Sequence, residues 1–183
     1  MKSDLRKKLY ESTKNNHLAV ENSFNFSEGI SISKLETFHQ SILRSRLKYQ
    51  KSLHHLEETF NIKSTYNDDL ISSLKSDLKS NNDIIDQLEV KNTSHAIGVF
   101  YVFAGSAMGA RVIRKMALEH DPPIQSHYIT KLIETANSQM KILGLLLDDN
   151  EINEIDLING ANETFSTLTK YANIEYKKKH KSI

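Results

Sequence analysis

Breakers of regular structure are almost absent from this chain, and where they fall they leave room for little except long helices. The only two prolines are adjacent, Pro122-Pro123, and glycine occurs six times in 183 residues. Alternation of β-branched and polar residues, the mark of a half-buried strand, is scarce. Apolar residues recur instead at the three-and-four spacing of an amphipathic helix. The expected fold class is therefore all-α, a single domain of six or seven helices over residues 1–183.

The periodicity sets the expected boundaries. Leu5, Leu9, Thr13, His17, Val20 and Phe24 share a face of a first helix over Ser3 to Phe24. Ser33-Lys34-Leu35-Glu36 reads as a capping box, a serine oxygen accepting an orphan N–H and a glutamate reaching back. It opens a helix expected to run unbroken to Phe60. A further helix is expected over Thr65 to Asn82, with Asp68-Asp69 at its positive end. A short helix through Ile84, Ile85 and Leu88 should follow. The next starts at a cap on Thr93 or Ser94 and runs to His120, where Asp121-Pro122-Pro123 stops it. Another covers Gln125 to Leu147. Asp148-Asp149-Asn150 should cap the last, which passes through Leu157, Ala161, Phe165 and Tyr171. Residues 174–183 contain Lys177-Lys178-Lys179-His180-Lys181 and are expected to be a mobile basic tail.

Composition removes several functions. There is no cysteine, so disulfides, zinc thiolates, iron–sulfur clusters and thiol nucleophiles are excluded. The formal net charge is +1, which gives no electrostatic reason to expect nucleic acid. No run approaches the ~18 consecutive apolar residues of a membrane span. Charges at the N-terminus are not followed by the apolar stretch of a secretory signal, so the expected location is cytoplasmic.

Two elements carry chemistry. His17 lies within roughly 80° of Leu9, Thr13, Val20 and Phe24 on a helical wheel, which points its imidazole toward the core side. Glu21, at i+4, is placed to meet one ring nitrogen, which would fix the tautomer and leave the other free for a metal. A histidine in such a place is more often a hydrogen-bonded boundary residue. Far downstream, Gly98, Gly105 and Gly109 fall within roughly 60° of one another on one helix. Each costs ~1 kcal/mol relative to alanine in a helix interior, so something should offset them. Close helix packing would do so, and so would backbone approach to a flat ligand.

Together these segments resemble the haem oxygenase family. Thr13-Lys14-Asn15-Asn16-His17-Leu18-Ala19-Val20-Glu21-Asn22 looks like its proximal helix. Tyr101-Val102-Phe103-Ala104-Gly105-Ser106-Ala107-Met108-Gly109-Ala110-Arg111 looks like its distal helix, in the Tyr-Val-x-x-Gly-Ser-x-x-Gly form of the bacterial branch found with bacteriophytochromes. The resemblance implies a haem-oxygenase-like helical bundle in which His17 ligates haem iron and Glu21 and Thr13 support it. Gly105, Ser106 and Gly109 would form the distal wall, with Tyr10 and Arg111 on the propionate side. The implied reaction opens haem to biliverdin, releasing carbon monoxide and iron and using dioxygen and electrons from an external reductase or ferredoxin. Haem is then both cofactor and substrate. Implied partners are haem, an electron-donor protein and a protein that accepts biliverdin, without nucleic acid or membrane.

Two departures qualify the resemblance. Ser106 stands where the animal-type pattern has an aspartate that orders distal water. Tyr10 stands where that pattern has a propionate-binding lysine, leaving Lys7, Lys14, Arg111 and Lys141 as neighbouring cations. The alternatives are a haem or tetrapyrrole binding or sensing protein of the same fold without turnover, and a helical protein that takes no haem.

Overall fold

The computed structural model describes residues 2–79, 85–148 and 151–180. Every regular element among them is helical. The order is α1 (Lys2–Phe24), α2 (Ile32–Lys48), α3 (Gln50–Thr59), α4 (Asn67–Leu78), α5 (Thr93–Glu119), α6 (His127–Leu146) and α7 (Glu154–His180), with one 3-10 turn at Phe26–Glu28. The all-α expectation therefore holds.

Boundaries differ from expectation for local reasons. α1 stops where Asn25 takes a left-handed conformation at φ 50°, and Gly29, at φ 94°, turns the chain toward α2. The cap of α2 is Ser31, whose hydroxyl oxygen accepts the Lys34 N–H; Ser33 already lies inside the helix. The expected long second helix divides at Tyr49. Thr37, Ser41 and Ser45 each donate a hydroxyl to the carbonyl four residues back, a ladder that bends a helix toward one side. Tyr49 sits at the bend, buried, with its hydroxyl 3.0 Å from Thr167 Oγ1 on α7. Residues 85–92 are not helical, which removes the short helix expected there, and Ile84 lies outside the described residues. α5 is capped by Asn92, one residue ahead of the expected pair. α7 is capped by Asn153, whose side-chain oxygen accepts from Ile155 and Asp156 N–H; Asp149 and Asn150 lie outside the described residues. The basic end continues α7 as helix to His180, and Lys179 ties it to Glu36 and Ser33 on α2.

The core is built around α5, whose Ala96, Val99, Phe100, Phe103 and Ala104 are buried. α5 has the length and apolar composition to cross a membrane, but 61% of its most apolar window is spent on packing inside the bundle. α7 crosses it at Gly98 and Gly160. A methyl group on Gly98 would lie 2.1 Å from the Leu157 carbonyl oxygen, and one on Gly160 would lie 2.1 Å from the His95 carbonyl oxygen. Only glycine allows these backbones to touch. α6 returns along α5, with the Ile124 N–H bonded to the Ala117 carbonyl at 2.8 Å where the hairpin closes. α2 and α4 pack on the far side, and α1 lies chiefly along α7.

Candidate functional site

α1 is fixed by polar and aromatic contacts that ascend α7 in step with it. Lys8 pairs with Glu154 at 3.0 Å, Asn16 bonds Asn162 at 2.8 Å, and His17 meets the ring of Phe165 edge-on at 5.5 Å. The two helices therefore run the same way. α6 runs against them. Its C-terminal end reaches the start of α1, where a methyl on Gly144 would be 4.0 Å from Arg6 Nη2. Its first turn lies near the end of α1, through Phe24 on Phe38 at 5.1 Å and Phe38 on Tyr128 at 6.3 Å. Because α5 and α6 form a hairpin, α5 runs parallel to α1 along this stretch.

α1 and α5 meet at Thr13 and Tyr101. Burial raises the Tyr101 phenol above its ordinary pKa, an effect opposed by a hydrogen bond with Thr13, reinforced by Tyr10 and opposed again by the Arg6 charge. Elsewhere α1 packs chiefly on α7, and α5 on α6 and α7. His17 follows Thr13 by one turn and Gly105 follows Tyr101 by one turn, on the same side of the junction. We read the space beside these two exposed faces as a trough between α1 and α5.

Its α5 wall is bare. A methyl added at Gly105 or Gly109 would meet nothing within 4 Å. Tyr101, Gly105, Met108, Gly109 and Val112 span roughly 100° of the helix surface. Met108 is 75% exposed and Val112 61% exposed, an apolar stripe without a partner. The glycine stripe thus divides. Gly98 serves helix packing against α7, whereas Gly105 and Gly109 face open space.

On the α1 wall, His17 is not turned into the core as the wheel predicts; its side chain is 53% exposed. The buried face of α1 is Leu9, Thr13 and Phe24, and His17 lies at its margin with one ring edge against Phe165 of α7. Nδ1 is 3.6 Å from Glu21 Oε1, an ion-pair distance just beyond a hydrogen bond. Nε2 has no partner among the described residues, so it is free to bind a ligand.

The other predicted residues separate. Thr13 is buried and its hydroxyl donates to the Leu9 carbonyl at 2.8 Å, so it shapes the junction and is not open to a ligand. Tyr10 is exposed on the same strip of α1 as His17. The Ser106 hydroxyl donates to the Phe103 carbonyl at 2.6 Å, which commits its proton to its own helix. Arg111 is exposed, but it lies roughly 120° around α5 from Gly105 and so on another side. Met108 lies on the same side of α5 as Gly105, and Arg6 on the same strip of α1 as Tyr10 and His17; neither stands out in the sequence.

Among the described residues, no three His, Asp or Glu side chains converge as a metal site. A cavity of about 460 Å³, lined by Asn16, Ala19, Lys170 and Lys177 among others, opens on the other flank of α1 against α7 and does not include His17. Comparison of the chain with protein-family models, with curated proteins and with solved structures gave no match.

Proposed function

We propose that the chain is a haem-oxygenase-like protein that binds haem edgewise in the trough between α1 and α5 and opens it oxidatively to biliverdin, carbon monoxide and iron. The observation that supports this most is an exposed imidazole whose Nε2 has no partner among the described residues, together with a neighbouring helix that carries two glycines over open space. A lone histidine is a poor site for a bare metal ion. It suits an iron whose equatorial positions are filled by a macrocycle.

The residues fit such a ligand in three respects. His17 Nε2 would hold the iron, with Glu21 biasing the tautomer by its charge beside Nδ1. The bare backbone at Gly105 and Gly109 admits a flat ring at van der Waals distance, where any side chain would intrude. Met108 and Val112, both exposed, would present apolar surface to the ring and exclude water from it. When bound, haem supplies both the iron that takes up dioxygen and the carbon that is oxidised; electrons come from an external donor protein, in the cytoplasm. The protein's own task is to hold and orient the ring.

The engagement of the Ser106 hydroxyl with its own helix favours a second reading, haem binding without turnover. No side-chain donor is then committed to the distal face, and water would have to order itself against the hydroxyl's lone pairs. Reconstitution with hemin followed by a reducing system in air separates the two. Loss of the Soret band with growth of a broad red biliverdin absorption supports the oxygenase. A Soret band that persists through many equivalents of reductant refutes turnover and leaves the binding protein.

A further inference from the structure

We infer that Arg46 holds a small monovalent anion of chloride size inside the bundle, on the unpaired edge of its guanidinium and beside the Asn67 amide. The site is separate from the trough, because Phe103, which carries the guanidinium, lies roughly 160° around α5 from Gly105.

Arg46 belongs to α2 and is 1% exposed. Its neighbours come from three other helices. Nη1 donates to Asn67 Oδ1 on α4 at 3.1 Å. The guanidinium carbon lies 4.6 Å from the ring centre of Phe103 on α5 and 5.8 Å from that of Tyr128 on α6. None of these groups is negatively charged. No carboxylate among the described residues lies within ion-pair distance of Arg46, whereas Arg44, two residues earlier, meets Glu175 at 2.9 Å. Asp77, the buried carboxylate that the Tyr128 N–H bonds, is committed to the first turn of α6.

The aromatic faces offset part of the charge. They leave the donors unmet. Nε and Nη2 carry the two parallel N–H groups of one guanidinium edge, the pair that grips an anion. Both are buried without an acceptor among the described residues, and Asn67 Nδ2 and the Tyr128 hydroxyl are buried without a partner too. Buried donors, charged ones above all, are paired in stable proteins. Asn67 is also the first residue of α4, where the N-cap, Tyr66, gives no side-chain bond. The positive helix end and the guanidinium therefore favour the same sign of ligand. Asp68 and Asp69 of that turn are exposed, and His54 meets the first at 3.2 Å and Lys131 the second at 4.0 Å. Closure sets the size: with Arg46 and Asn67 each 1% exposed, the place admits a small ion and excludes an organic one.

The test is thermal unfolding as sodium gluconate is replaced by sodium chloride at constant ionic strength, for the wild type, Arg46→Met and Asn67→Asp. Chloride should stabilise the wild type saturably. The folding equilibrium constant should rise about tenfold at about ten times the dissociation constant, or roughly 3–6 °C in melting temperature. Arg46→Met removes the cation, and Asn67→Asp gives it a carboxylate of its own. Each variant should melt at one temperature in both salts. Bromide diffused into crystals should give an anomalous peak beside the guanidinium. Equal melting of the wild type in the two salts, a chloride effect that persists in either variant, or bromide peaks with none at Arg46 overturns the inference. If Arg46→Met does not fold, Asn67→Asp decides.

Discussion

Gly105→Ala and Gly109→Ala should stabilise the free protein while weakening its ligand. Both positions lie inside α5, where glycine costs about 1 kcal/mol relative to alanine. In most cores a methyl group would have to be fitted in, but here it would meet no atom within 4 Å at either position. The propensity gain is then undiminished, about 2 kcal/mol for the double variant, or roughly 4–8 °C in melting temperature for a chain of this size. Gly98→Ala on the same helix face is the internal control. Its methyl would sit 2.1 Å from the Leu157 carbonyl oxygen and 2.8 Å from the Ala161 nitrogen, so two backbones must separate. A loss of about 3 kcal/mol or more is expected there. Thermal melts followed by circular dichroism measure the stability of the free forms, and absorbance titration with hemin measures the ligand. The reasoning requires opposite signs: more stable proteins that bind hemin at least tenfold more weakly, about 1.4 kcal/mol. Destabilisation by Gly105→Ala would show that α5 is covered there in solution. Unchanged hemin affinity in a stabilised double variant would show that the glycines do not serve a ligand.

His39 is held neutral by burial, which lowers its pKa to about 4 against the opposing charges of Asp77 and Glu36. The unfolded chain takes up that proton first, so stability is complete above pH 6.5 and falls toward pH 4, by at most about 3 kcal/mol; His39→Gln should flatten this part of the stability–pH curve, and an unchanged slope would exclude His39 as its source. Burial would raise the Asp77 carboxyl, but bonds from Tyr128 N–H, His127 N–H, the Ser126 hydroxyl and His127 outweigh it and bring the pKa below the usual carboxylate value. Asp77→Asn should therefore cost about 2 kcal/mol at neutral pH, because it replaces a charged cap of α6; a loss within 0.5 kcal/mol, about the scatter of surface substitutions, would contradict that role. Gly160→Ala should match Gly98→Ala in urea denaturation, since its methyl would lie 2.1 Å from the His95 carbonyl oxygen; near-wild-type stability would place the α5–α7 crossing elsewhere.

What could be read from the sequence followed what local chemistry decides. Helix periodicity and the Pro122-Pro123 stop place α1, α4, α5, α6 and α7 nearly to their ends, but join α2 and α3 into one helix and add a short one through Leu88. Caps were harder to place, because Ser31 and Ser33, or Asn92 and Thr93, offer similar oxygens a residue or two apart. The break at Tyr49 depends on hydroxyls that bend a helix while preserving its apolar period, so the pattern does not reveal it. The wheel placed His17 near the buried face of α1, but its exposure depends on which neighbour that face meets. Leu9 and Phe24 are buried, whereas the imidazole touches α7 only edge-on at Phe165 and stays exposed. Likewise three glycines look equivalent on a wheel. Only the position of α7 separates Gly98, pressed on backbone, from Gly105 and Gly109, facing space.

The central claim is that His17 offers its free nitrogen to haem iron between α1 and α5. Absorbance titration of the wild type and His17→Ala with hemin tests it most directly. One-to-one binding with the Soret and visible bands of histidine-ligated ferric haem, converted in His17→Ala to a weaker complex whose histidine-like bands return on adding imidazole, is the predicted result. No stoichiometric binding by the wild type, or the same ligand-field spectrum in both proteins, would contradict it.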